Sequence, residues 1–184
     1  MALSKPIYSI LGLYFEQLHS HSLRTRSISS SLVAVLGNVT SQYLSGVQRI
    51  DYDSVLSFGV YGLLFGSTLP NVFYRVIVRF IPDITIRKNI FKQLLVERLL
   101  YTPLFIAVCL YVISRLQGLT SDQAVRRLMR HYLTALKTNW LWFTILQYAV
   151  LRYGPPILQV PLANIVEYVW YTYLAHKLNA RTKK

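Results

Sequence analysis

Uncharged stretches of bilayer length alternate along this chain with short clusters of Lys and Arg. The clearest is 54–74, SVLSFGVYGLLFGSTLPNVFY, which runs about 20 residues without a charge, the length a helix needs to cross hydrocarbon. Three further apolar stretches, 27–48, 94–113 and 157–175, join it and predict an all-α integral membrane bundle of about four transmembrane helices. Two segments are amphipathic instead. In 1–26, Ile7, Leu11, Tyr14, Phe15 and Leu18 recur at helical spacing. In 120–137 a Thr-x-x-Gln capping box precedes Val125, Leu128, Met129, Tyr132 and Leu136 on one face, with Arg126, Arg127, Arg130 and Lys137 on others. Both predict interfacial helices lying along the membrane surface. The aromatic stretch 139–153, closed by Gly154, Pro155 and Pro156, is short for a span and either dips into the interface or completes a bent crossing. The whole of 1–184 reads as a single membrane domain.

Polar residues inside the spans carry the functional signal. Ser27, Ser31, Ala34, Asn38, Gln42 and Ser45 follow one another at steps of three and four, so one face of the first span is small and hydrogen-bonding. Facing lipid, the Asn38 and Gln42 amides would be costly; that face looks at protein or at water, as helix glue or as the lining of an aqueous path. Gly62 and Gly66 make a G-x-x-x-G step that lets another helix approach backbone to backbone. Glu167 lies within the last span and marks either an ion pair, with Arg152 or Arg98 as partner, or a solute path. Glu97 and Arg98 open the third span as neighbours in sequence and point in different directions, so each is expected to find a separate partner; Pro103 is expected as a kink.

Charge refines the picture. The chain carries +13 with 53% hydrophobic residues, and its Lys and Arg lie between and beside apolar stretches. That distribution suits membrane lipids with anionic headgroups and argues against nucleic acid. Basic ends and a mildly acidic first loop fit four crossings with both chain ends on the same side, although the Arg-rich 120–137 segment then breaks the positive-inside rule. His19, His21, His131 and His176 are scattered, Cys109 is the single cysteine, and no phosphate-cradling glycine loop follows a strand. No catalytic constellation, metal site or cofactor is expected, and the chain does not read as an enzyme.

The order His21, Thr25, Leu36, Gly37, Asn38, Gln42, then Val60, Tyr61, Gly62, Phe73, Tyr74, Ile81 and Pro82 resembles the peroxisomal membrane protein 2 family and its mitochondrial inner-membrane relatives. Ala135, Leu136, Asn139, Trp140, Gln147, Pro155, Ala163, Asn164, Trp170, Tyr171, Tyr173, Leu174 and Ala175 continue the likeness, and Asn38 after Gly37 is most like the peroxisomal branch. Departures include Ser22, Ser67, Thr68, Asn71, Phe143, Ile145 and Gln159, where the family usually has other residues. The resemblance implies a small multi-pass protein of the peroxisomal membrane, or of the mitochondrial inner membrane, that forms homo-oligomers and a pore for small-molecule solutes. On that reading Ser31, Asn38, Gln42, Ser45 and Glu167 are the pore-lining or helix-packing candidates, and Gly62 and Gly66 the packing glycines. No Ser-Lys-Leu address ends the chain, so peroxisomal import factors for membrane proteins would have to read internal basic segments such as Arg87, Lys88 and Lys92. The contrasting expectation is a membrane scaffold without transport.

Overall fold

The computed structural model describes residues 12, 16, 17, 20, 22–80, 90–154 and 159–179. Most of the amphipathic 1–26 segment lies outside them, as do His19, His21, Arg87, Lys88, Pro155 and Pro156. Among the described residues the regular structure is all helical. Helix α1 is Ser22–Leu44, α2 is Tyr52–Phe80, α3 is Phe91–Leu116, α4 covers 121–153 and α5 is Gln159–Asn179. By length and apolar composition α2 and α3 are able to cross a membrane. The chain is an all-α membrane protein, and α1, at 23 residues, is also roughly 34 Å long against a hydrocarbon layer of about 30 Å.

Local chemistry sets the helix ends. Asp51 caps α2, its Oδ1 accepting from the Ser54 backbone N–H at 3.1 Å. Thr120 and Gln123 form the reciprocal capping box at the start of α4. Beyond Thr138 the backbone does not stop: a π-helical turn, Asn139–Phe143, leads into Thr144–Tyr153. The stretches 120–137 and 139–153, which the sequence separates by their polarity, thus form one continuous rod.

That rod reverses the chain once more than four spans would. Ser30 on α1 meets Glu167 on α5, Gly37 meets Tyr171 and Thr172, and Ser45 meets His176, so α1 and α5 run parallel. Ser22 and Asn179 therefore lie at opposite ends of the bundle, which corrects the antiparallel first and last spans that the expected four crossings require. Hydropathy missed it because the first half of α4 carries three arginines: Arg126 and Arg130 are exposed, and Arg127 turns inward to Gln117 and the Leu178 carbonyl.

The core sits where α1, α2, α3 and α5 converge. Ala34, Phe58, Tyr61, Ile106, Cys109, Leu110, Tyr171 and Leu174 are fully or almost fully buried there. Two glycine faces allow the closest approaches. A Cβ on Gly62 would lie 2.7 Å from the Ser30 carbonyl oxygen and 2.8 Å from the Ser31 Cα, and one on Gly66 would collide with the Ser30 side chain. A Cβ on Gly37 would lie 3.0 Å from the Thr172 backbone nitrogen, so α1 is pinched between α2 and α5 at bare backbone.

Candidate functional site

Two polar clusters stand inside this apolar frame. The first ties off one end of the bundle. Asn38 donates through Nδ2 to Ser54 Oγ at 3.0 Å, and Gln42 donates through Nε2 to Asn38 Oδ1 at 2.7 Å. Gln42 also closes on the loop, donating to the Asp51 carbonyl and accepting from the Asp51 N–H at 2.7 Å. Ser54 Oγ accepts from Gln117 Nε2 as well, and donates to Asn179 Oδ1. Arg127 then bridges Gln117 Oε1 and the Leu178 carbonyl, each at 2.6 Å. Residues from all five helices or their caps meet in this knot. Asn38 is fully buried and Gln42 almost so, and the bonds satisfy amides that would be expensive to bury unpaired.

Ser31 and Ser45, on the same stripe, go elsewhere. Ser31 Oγ donates to the Gly59 carbonyl at 2.8 Å, on the α1–α2 contact. Ser45 Oγ donates to the Ser41 carbonyl and reaches His176 Nδ1 at 3.1 Å.

The second cluster lines a cavity of about 250 Å³ between α2, α3, α4 and α5. Three π-helical turns supply its wall: Gly62–Gly66, Glu97–Tyr101 and Asn139–Phe143. Such wide turns concentrate at functional positions because they re-aim side chains and free backbone groups. In α3 the cause is visible. The Thr102 N–H reaches back to the Glu97 carbonyl and Pro103 has no N–H, so the Arg98 carbonyl accepts the Trp140 indole N–H at 3.0 Å instead. Where a kink at Pro103 is expected, the preceding turn widens.

That widening brings Glu97 and Arg98 to one side chain. Gln147 donates through Nε2 to Glu97 Oε2 and accepts through Oε1 from Arg98 Nη2. Arg98 also donates to Asn139 Oδ1, to Thr102 Oγ1 and to the Phe143 carbonyl. Gln93 donates to the other Glu97 oxygen at 3.3 Å and to the Tyr74 hydroxyl at 3.1 Å. The guanidinium is thus held by neutral oxygens, while Glu97 is only 4% exposed.

Glu167 lines the same cavity and accepts from Ser30 Oγ at 3.3 Å. Of the partners expected for it, Arg98 is committed to Asn139 and Gln147, and the hydrogen bond to Glu167 comes from Ser30 instead. Aromatic rings complete the wall. Tyr101 stacks on Phe105 at 5.3 Å, and Phe143 meets Trp170 edge-on at 5.1 Å. A space of this kind, mostly apolar with a few charged and amide groups converging on it, can hold water or a small polar molecule inside a membrane bundle. Among the described residues no group of His, Cys, Asp and Glu could hold a metal ion.

Sequence reasoning singled out Glu167 and left Asn139 and Gln147 as positions in a motif. The signal that could have raised them is their spacing: Asn139, Phe143 and Gln147 recur every four residues, one polar and aromatic stripe on α4.

Residues 114–175 match the Mpv17 / PMP22 family. Over 90% of this chain and 87% of the relative, it is 29% identical to peroxisomal membrane protein 2 of Bos taurus. It is 27% identical to the peroxisomal membrane protein PMP22 of Arabidopsis thaliana, across 99% of this chain and 96% of the relative. The mitochondrial inner membrane protein Mpv17 of Homo sapiens is 26% identical, over 89% of this chain and 94% of its own length. No solved structure matches.

Proposed function

From the premise that this chain carries an Mpv17/PMP22 family domain, we propose that it is an integral protein of the peroxisomal membrane that passes small metabolites through the bundle. The single observation that carries the transport reading is the cavity itself. Glu97, Arg98, Gln147 and Glu167 converge on a partly open space between helices, two of them long and apolar enough for a bilayer, where an inert helix bundle would be filled by Leu or Phe. In this reading the aqueous path runs past those four side chains, and the Asn38–Gln42 knot holds the helices around it. Selectivity then follows from the width and lining charge of the path. Homo-oligomers, small-molecule solutes and import factors that read internal basic segments are its partners. The test is reconstitution of the purified protein in liposomes with conductance and solute efflux measured; sealed bilayers under several lipid compositions would sink it.

The hydrogen-bonded knot around Asn38, Ser54 and Gln117 favours a second reading, a membrane scaffold whose polar residues only join helices. Sealed bilayers together with a stable complex isolated from the membrane would support that one. Imaging against peroxisomal and mitochondrial markers decides the address, since relatives carry both names.

A further inference from the structure

A groove between the first turns of α1 and the last turns of α2 lies apart from the cavity lined by Glu97, Arg98 and Glu167. It measures about 420 Å³ and includes Arg24, Ile28, Leu63, Val72 and Arg75 in its walls. Its polarity is graded along the bundle axis. Gly62 and Gly66 seat against Ser30 and Ser31 while α1 and α2 run antiparallel, so Ile28 and Leu63 lie beside that contact. Arg24 and Arg75 lie further out, toward the end of the bundle where α2 finishes at Phe80. The basic end of the groove therefore faces the membrane surface and the apolar end faces the bilayer interior. Ile28, Leu63 and Val72 are about half exposed, at 55%, 46% and 54%. Among the described residues no acidic side chain lines the groove, and Arg24 and Arg75 have no hydrogen-bond or ion-pair partner.

We propose that this groove binds one phospholipid with an anionic headgroup. The phosphate sits between Arg24 and Arg75, and one acyl chain runs inward over Ile28, Leu63 and Val72. Two guanidiniums with no neighbouring carboxylate complement an anionic headgroup and repel the cationic end of a zwitterionic one. Ser27 and Asn71, also in the wall, offer polar hydrogens at the level where ester oxygens would lie. The inference needs the chain in a bilayer and not a conducting pore, so a silent reconstitution leaves it standing.

The test is native mass spectrometry of the detergent-solubilised full chain titrated with phosphatidylglycerol or with phosphatidylcholine of the same acyl chains. Wild type is expected to retain one phosphatidylglycerol with roughly tenfold preference, two basic residues each contributing several-fold. R24Q/R75Q removes the preference. R126Q/R130Q, which deletes the same charge elsewhere, keeps it. V72W fills the groove with the charge intact and weakens retention of both lipids. A preference that survives in R24Q/R75Q, or that falls equally in R126Q/R130Q, overturns the proposal. So does a V72W protein that loses an oligomer while its lipid retention stands, which would make the groove an interface between copies.

Discussion

Asn38 and Ser54 are joined side chain to side chain at 3.0 Å, and both are buried to within 1% of full coverage. This contact is one of those that fasten α1 to α2, and Ser54 passes the connection on to Gln117 and Asn179. Replacing Asn38 by Leu leaves a buried amide and a hydroxyl short of partners, at about 1–3 kcal/mol. The expected result is a lower melting temperature in detergent with conductance per folded molecule unchanged. A stable N38L protein with altered ion flux would instead place this residue on the path.

Gly62 and Gly59 should respond differently to the same methyl group. At Gly62 the new Cβ meets the backbone of Ser30 and Ser31, which cannot turn aside. At Gly59 it meets a Val35 methyl at 2.9 Å, which can rotate away. Gly62→Ala is expected to cost about 1–3 kcal/mol of stability, as overpacking does, and Gly59→Ala less. Thermal melts of the two single variants check the order.

Glu167→Gln keeps an acceptor for Ser30 and removes the acid that Glu167 presents to the cavity. If solutes pass there, the reversal potential in a salt gradient moves toward anion preference, with the fold intact. An unmoved reversal potential separates the cavity from the path.

The parallel course of α1 and α5 makes a topological prediction. Single cysteines at Tyr52 and Lys177 should react with an impermeant maleimide from one face of sealed vesicles, and a cysteine at Arg79 from the other. Native Cys109 is fully buried and supplies little background. Labelling of Tyr52 and Lys177 positions from opposite faces would return 121–153 to the membrane surface.

The two long apolar helices were readable because hydrocarbon demands long runs with few charges: 54–74 has none and falls within α2, and 94–113, apolar beyond Glu97 and Arg98, falls within α3. The α4 capping box was readable because its two residues are three apart. What was hidden depends on distance along the chain. Ser30 finds Glu167 across 137 residues, and Gln147 reaches back 50 residues to Glu97. No periodicity encodes such pairings. The wide turns were hidden for another reason: NWLWF and ERLLY are ordinary helix-compatible strings; Pro103 marks the second as a place where the backbone must adjust but not how, and the bonds from Arg98 to Asn139, Phe143 and Gln147 that join the two turns are tertiary.

Those wide turns give the bundle three phase shifters. Each absorbs an additional residue, and one residue of an α-helix corresponds to a rotation of about 100°. Removing a single amino acid from Gly62–Gly66, Glu97–Tyr101 or Asn139–Phe143 would restore regular α pitch there and, since the wide turn already takes up that rotation, leave the rest of the rod facing as before. Composition and hydropathy would hardly change. Which surfaces confront one another would stay the same, while the freed carbonyl that Arg98 offers to Trp140 and the re-aimed side chains of the wide turns would be lost, so single-residue indels here edit the cavity wall on an unaltered scaffold.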